Sequence, residues 1–288
     1  MSNFSEIEKS ENSRRNFIKT ASVLAGMCLL DCDVLGHEPR LASYKRALDD
    51  ENIISERVKF TSGNIEIEGF LSRPKKKGRY PIIVVVSGST FDDEYIQNMT
   101  AKFAQENFVS ISPNIFSLQK QNMTAEEKRK VFAEQITDEN IFRDLTAAIN
   151  FLTRQKFAKK KKIGVTGFCF GGRCALMFAA HDKRVDAVVP FYGNLKTPAF
   201  ANRKQDPVDI ISQIKIPTQG HYSESDEEIP LDQLKNFESD LKNQGTEVQI
   251  FTYKAPHGFF AYNRKSYNAE AAQLSWQRAI EFFNKILN

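Results

Sequence analysis

The stretch Ile163-Gly164-Val165-Thr166-Gly167-Phe168-Cys169-Phe170-Gly171-Gly172 limits the fold more than any other part of the chain. A short, continuous run of apolar and β-branched residues leads to a glycine two positions before a cysteine and another two positions after it. That pattern describes a buried strand turning sharply into a helix. Side chains at the flanking positions of so tight a turn would strike neighbouring backbone, so glycine is needed there, and Cys169 is left pointing out over the sheet edge. The unpaired N–H groups and dipole at the start of the helix favour a thiolate. The backbone N–H of Phe170 is suited to holding a developing oxyanion. An inert buried thiol beside a packing turn is the plainer alternative. A phosphate-cradling loop is disfavoured, because neither glycine-rich nucleotide fingerprint is present.

The rest of the chain supplies a matching frame. Ile53 to Thr61 and Ile65 to Arg73 alternate apolar and polar residues around Ser62-Gly63-Asn64, the pattern of an antiparallel hairpin. Ile82 to Val86 and Ile163 to Thr166 are continuous runs, as in strands covered on both faces. Val109 to Ser112, Ala187 to Phe191, Thr218 to His221 and Val248 to Tyr253 complete the predicted strands. Helical spacing appears at Tyr95 to Glu106, Thr124 to Ile136, Glu139 to Arg154, Gly171 to His181, Leu231 to Asn243 and Ala269 to Ile286. The predicted fold class is therefore α/β: a mostly parallel central sheet with an N-terminal antiparallel hairpin and helices on both faces. Ligands of such sheets sit at the carboxyl ends of strands, here just after Val86, Thr166, His221 and Tyr253. No internal repeat or low-complexity linker follows residue 50, so one domain is expected over 50–288.

Composition narrows the function classes. With 41% hydrophobic and 26% charged residues and a formal charge of +4, the chain is an ordinary globular protein. The lysine runs at Lys75 to Lys77 and Lys159 to Lys162 border predicted strands without interleaved aromatics, so solvated loops are expected and a nucleic-acid partner is not. Residues 1–40 have a different character. Ser13-Arg14-Arg15-Asn16-Phe17-Ile18-Lys19 leads into the apolar run Ala21 to Leu30, too short for a permanent membrane span. It resembles a twin-arginine translocation signal. That resemblance implies an export segment and linker over 1–40, the export machinery as a partner, and a periplasmic or cell-envelope location. Cys28 and Cys32 lie in or just after this segment, where Met27 and Asp31 fit poorly as the residues preceding a lipidated cysteine. Cys169 and Cys174, on one helix, point in different directions and do not suit a bridge.

A thiol nucleophile needs a base and a group to orient that base. Of four histidines, His257 lies in Lys254-Ala255-Pro256-His257-Gly258-Phe259, directly after the last predicted strand. His37 falls in the export segment, His181 at the far end of the helix after Cys169, and His221 at a strand end. The acid is expected between nucleophile and histidine in chain order. Asp226, in the loop after Thr218 to His221, is preferred over Glu224, Glu227 and Glu228 by its distance from the strand.

Gly167-Phe168-Cys169-Phe170-Gly171-Gly172, Phe191-Tyr192-Gly193, Asp226 and Ala255-Pro256-His257-Gly258-Phe259 together resemble the dienelactone hydrolase family from about residue 55 onward. Tyr267, Ala271, Ala272, Trp276, Arg278 and Phe282 of the last helix extend the likeness. The resemblance implies an α/β-hydrolase that opens lactones or cleaves reactive esters without metal or organic cofactor. Cys169 would be its nucleophile, Asp226 the orienting acid and His257 the base. The oxyanion would be held by the backbone of Phe170 with Gly88 or Ser89. Two features depart from the family. Ser87-Gly88-Ser89-Thr90 stands where better-known members carry a glutamate that regulates the thiol, with no carboxylate before Asp92. Leu118-Gln119 and Phe260-Ala261 stand where they carry arginines for a substrate carboxylate. A less charged small-molecule substrate is expected, with Phe91, Phe168, Phe170, Phe259 and Phe260 around its acyl group. The alternatives are a ligand-binding or sensing protein on the same scaffold and a thiol-redox protein, which the absence of a Cys-x-x-Cys pair disfavours.

Overall fold

A computed structural model of the chain describes residues 46–88, 93–197 and 203–288. The expected export segment, with Cys28, Cys32 and His37, lies outside the described residues, as do Ser89, Phe91 and Asp92. Eight strands form one sheet: β1 (Ile53–Ser62), β2 (Ile65–Pro74), β3 (Tyr80–Val86), β4 (Val109–Pro113), β5 (Ala158–Phe168), β6 (Ala187–Phe191), β7 (Thr218–Ser223) and β8 (Val248–Tyr253). Their spatial order is β1-β2-β4-β3-β5-β6-β7-β8. The β1–β2 hairpin turns at Gly63, whose φ of 60° suits glycine, and pairs from Ile53 opposite Pro74 to Ser62 opposite Ile65. β2 also runs antiparallel to β4, and all remaining pairs are parallel.

The helices are α1 (Glu94–Gln105), α2 (Ala125–Glu134), α3 (Asp138–Thr153), α4 (Phe170–His181) and α5 (Leu231–Asn243) between strands, and α6 (Ala269–Leu287) after β8. They cover the two faces of the sheet. Ile82, Val84, Val86, Ile163 and Val165 point into one core with residues of α2 to α5, including Val131, Leu145, Leu176 and Phe237. Ile83, Val85 and Phe168 point into the other, with Tyr95, Met99 and Phe103 of α1 and Trp276 and Phe283 of α6. Successive strand residues serve opposite cores, so a central strand must be apolar throughout. Thr124 and Thr137 each close a capping box, which starts α2 and α3 one residue after the threonine.

One sequence expectation is corrected. The lysine run Lys159 to Lys162 is not a solvated loop: β5 begins at Ala158 and the four lysines are its next residues. Lys160 and Lys161 stay exposed, while Lys159 Nζ donates to Asn288 Oδ1 at 3.2 Å and Lys162 Nζ to the Ile286 carbonyl at 3.1 Å. A run of identical residues carries no alternation, so pairing to β3 at Tyr80 decided the strand's start. No helix among the described residues is long and apolar enough to cross a membrane.

Candidate active site

β5 ends at Phe168 and α4 begins at Phe170, which leaves Cys169 alone at the turn with φ 54° and ψ −124°. A non-glycine residue in the left-handed half of the map is strained, and the surrounding contacts must hold it there. The Cys169 N–H donates to the Phe191 carbonyl at 3.0 Å, and its own carbonyl accepts from Gly172 N at 2.8 Å. A Cβ on Gly167 would lie 2.1 Å from the Gly171 carbonyl oxygen, and one on Gly171 would lie 2.1 Å from that of Val86. Both glycines are therefore sterically required. Gly88, after β3, lies against the same turn: a Cβ there would be 2.4 Å from the Phe168 oxygen and 3.3 Å from Cys169 Cβ. No carboxylate side chain can occupy that position.

The loops after β7 and β8 bring the other two residues to the sulfur. His257 Nε2 is 3.3 Å from Cys169 Sγ, and Nδ1 is 2.6 Å from Asp226 Oδ2. With Asp226 accepting at Nδ1, the imidazole presents Nε2 to the thiol. The Asp226 side chain is only 1% exposed, against 26% for His257, so the carboxylate is sealed while the imidazole remains partly open. Asp226 Oδ1 also accepts from Glu228 N at 3.1 Å, and the Glu228 carboxylate accepts from Asn194 Nδ2 at 3.0 Å. Glu224 instead meets Thr252 Oγ1 at 3.4 Å. Ser223 and Ser225 hydroxyls both donate to the Ala255 carbonyl, tying the two loops together. The φ of 76° at Gly258 turns the chain away directly after the histidine.

Other sequence-marked residues lie elsewhere. Phe168, Phe259 and Phe260 are 2%, 0% and 4% exposed; Phe168 and Phe260 pack with Tyr95, Phe191 and Trp276, and Phe259 with Tyr192 and Tyr253. These rings belong to the apolar core on the α1 and α6 face of the sheet, where Cys169 packs at its margin. The Phe170 ring joins Phe116 and Phe132 on the other face, under the Arg203 guanidinium at 4.7 Å. His181 stacks on Phe142. His221 is fully buried, and desolvation followed by the nearby Arg278 charge lowers its pKa to about 3. Cys174 is buried, and desolvation pushes its thiol up to about 12, which leaves it unreactive.

Two features escaped the sequence. Arg173, four residues past the cysteine, is wholly buried and grips Asp138 at 2.7 and 3.0 Å, Asp206 at 3.1 Å and the Gln205 carbonyl at 2.6 Å. Tyr192, seen only as part of a motif, has a φ of 38° and meets the His257 ring edge-on at 5.1 Å. Nothing in the local sequence marks either partner set, because both are assembled across strands. Among the described residues no group of three His, Cys, Asp or Glu side chains could hold a metal ion.

Comparison with known proteins agrees with this architecture. A protein assigned as a carboxymethylenebutenolidase in Methylorubrum extorquens is 29% identical over 277 residues, covering 95% of this chain and 93% of its own. One assigned as a 2-oxo-3-(5-oxofuran-2-ylidene)propanoate lactonase in a Bradyrhizobium species is 27% identical over 214 residues, 73% of this chain and 86% of the other. A crystal structure assigned as a dienelactone hydrolase of Klebsiella pneumoniae superposes with a TM-score of 0.76 at 28% identity, covering 81% of this chain and 99% of that one. The dienelactone hydrolase family profile matches residues 67–287, from the second hairpin strand to the end of α6. With the sheet order, the strained turn after β5 and a profile match across most of its length, the chain belongs to the dienelactone hydrolase family.

Proposed function

We propose that the chain hydrolyses a carboxylic ester or lactone through a Cys169, His257, Asp226 triad. The observation that carries this reading is the unbroken line of contacts from Cys169 Sγ to His257 Nε2 at 3.3 Å and from Nδ1 to Asp226 at 2.6 Å. His257 takes the thiol proton, and the sulfur attacks the carbonyl carbon. The resulting oxyanion is held by the backbone N–H of Phe170, at the start of α4, together with that of Gly88 or Ser89. His257 then delivers its proton to the departing alkoxide oxygen, which leaves an acyl thioester on Cys169. Water, deprotonated by His257, attacks that thioester and releases the acid and the thiol. Asp226 stays ionised and steadies the imidazolium in both halves. A thiolate leaves a tetrahedral adduct more readily than an amine, so activated esters and strained lactones react and amides return to starting material. The names of the relatives point the same way, towards small lactones.

Cys169→Ala and His257→Ala should each lower hydrolysis of small aryl esters by roughly a thousandfold or more. Mass spectrometry of the wild-type protein during turnover should find the acyl adduct on the peptide carrying Cys169. Unchanged ester hydrolysis by folded Cys169→Ala would remove the scheme. Export by a twin-arginine route is the second part of the proposal. It rests on Ser13-Arg14-Arg15-Asn16-Phe17-Ile18-Lys19. Replacing Arg14 and Arg15 by Lys together should retain the protein in the cytoplasmic fraction, and equal export of both forms would argue against that route.

A further inference from the structure

The two lysine runs lie far apart in the chain, and the fold sets them side by side. β2 ends at Pro74, and Lys75, Lys76, Lys77 and Arg79 form the loop before β3. Arg154, Lys156 and Lys159 to Lys162 lie between the end of α3 and the apolar part of β5. Tyr80 pairs with Ala158, and its N–H donates to the Phe157 carbonyl at 2.9 Å, which joins the two segments at one end of the sheet. Neither 75–79 nor 154–162 contains an acid. Their ten cations outnumber the chain's formal net charge of +4, so the remainder of the molecule is net acidic.

Lys159 and Lys162 are half-buried and donate to Asn288 and to the Ile286 carbonyl at the end of α6. The other eight are exposed, and none forms an ion pair with a carboxylate of the described residues. At the margin, Lys75 Nζ donates to the Glu51 carbonyl at 3.4 Å. Two acids nearby are already engaged, Asp186 by the Ile163 N–H at 2.9 Å and Glu247 by Lys285 at 2.7 Å. Cations gathered in this way repel one another, so the array adds nothing to folding and is relieved only by negative charge brought from outside.

The chemistry of the array selects that outside surface. Six of the eight are lysines, point charges on flexible stems, where arginine forks would suit a defined, bidentate ligand. Lysine is depleted in protein–protein interfaces, which favour arginine and aromatic rings. The two aromatics beside the cations, Tyr80 and Phe157, are half-buried against the core and offer no platform for stacking bases. One side of Phe157 is covered by the Arg73 guanidinium at 4.9 Å, and the Tyr80 hydroxyl donates to the Lys76 carbonyl at 2.9 Å. A plane of lipid phosphates asks only for about four to eight cations within reach of one surface.

We propose that this basic face docks the protein on an anionic lipid bilayer, with the triad end of the sheet turned towards the water. β3 and β5 both start at the basic face and end at the Cys169 turn. At about 3.3 Å per residue, the eleven residues of β5 place the two roughly 35 Å apart. Docking therefore leaves the path to Cys169 open.

The test floats the full chain with vesicles of phosphatidylcholine alone or mixed with phosphatidylglycerol. The wild type should partition at least about tenfold more strongly onto the anionic vesicles, and about 0.5 M NaCl should abolish the excess. Combined Lys75→Gln, Lys76→Gln and Lys77→Gln should cut that excess by about tenfold or more, and Lys160→Gln with Lys161→Gln by about fivefold or more. Combined Lys130→Gln, Lys235→Gln and Lys265→Gln removes as much charge from exposed positions elsewhere and should leave most of the excess in place. Residues 1–45 are identical in every form, so the differences between variants read the basic face. Cys169 on vesicles should react with a water-soluble maleimide as fast as in solution, which needs no hydrolysis. No anionic excess in the wild type, an unchanged excess in the 75–77 variant, or an equal fall in the charge-matched control overturns the proposal. The 75–77 variant changes only exposed loop side chains, so it decides the matter if the β5 variant does not fold. Protection of Cys169 on vesicles overturns the orientation. Duplex DNA that strips the wild type from vesicles at a lower phosphate concentration than anionic lipid itself would overturn the bilayer in favour of nucleic acid.

Discussion

At Cys169 a residue with a side chain occupies backbone space that usually belongs to glycine, and glycines occupy the neighbouring positions where no side chain fits. The division is steric. Any Cβ on Gly171 would lie 2.1 Å from the Val86 carbonyl oxygen, a backbone atom that cannot rotate away. Gly171→Ala should therefore force β3 and α4 apart and destabilise the protein by about 3 kcal/mol, at the upper end of ordinary overpacking. Urea unfolding would measure it, and an unchanged midpoint would mean that the turn is looser than these contacts imply. These glycines were legible in the sequence because the clash they avoid is local. Tyr192 was not, since its strained φ is enforced by His221, Phe168 and Phe259, which come from three separate segments.

Between elements, the buried Arg173 does for the turn what no single helix could. It projects from α4 to Asp138 at the start of α3 and to Asp206, whose carboxylate also accepts from Thr197 N at 2.9 Å and Thr197 Oγ1 at 2.8 Å. One guanidinium thus joins two helices and the chain that follows β6. Arg173→Leu would leave two carboxylates facing one another in a largely dry space. Removing one partner of such a buried cluster typically costs about 3–5 kcal/mol. Thermal melting should show that loss, together with a drop in esterase activity that exceeds the loss of folded protein. Full activity in the folded fraction would restrict Arg173 to stability. Helix and strand types were readable from periodicity and from continuous apolar runs: α5, β6 and β8 match their predicted limits, and the others differ mostly by one or two residues. The start of β5 was hidden because four lysines in a row show no period.

Over the whole molecule, one polar network crosses the sheet near β8. His221 Nδ1 accepts from the Tyr253 hydroxyl at 2.8 Å, its Nε2–H donates to Gln219 Oε1 at 3.1 Å, and Arg278 donates to the same Tyr253 oxygen at 3.2 Å. Burial first, and Arg278 second, hold this histidine neutral, with its pKa lowered from 6.5 to about 3. The unfolded chain therefore binds a proton that the folded chain refuses. Stability from this group is fully present above about pH 6.5 and is lost as pH falls towards 3, with a slope of about 1.4 kcal/mol per pH unit. Denaturant unfolding between pH 7.5 and 5 should show that decline, and His221→Phe should flatten it while lowering stability at pH 7.5. An identical slope in the variant would assign the acid sensitivity elsewhere. The sequence alone determined which segments are strands or helices, where the sharp turn must fall, and which cysteine, histidine and aspartate have strand-end positions, because periodicity and steric conflict act between near neighbours. Only the tertiary structure decided that β3 lies between β4 and β5, and that His257 meets an aspartate 31 residues away and a cysteine 88 residues away. It also decided that Phe168, Phe170, Phe259 and Phe260 are buried and that the Tyr192 ring stands against His257. Such contacts depend on sheet order and on the competition of every apolar surface for burial, and neither is a property of any short stretch of chain.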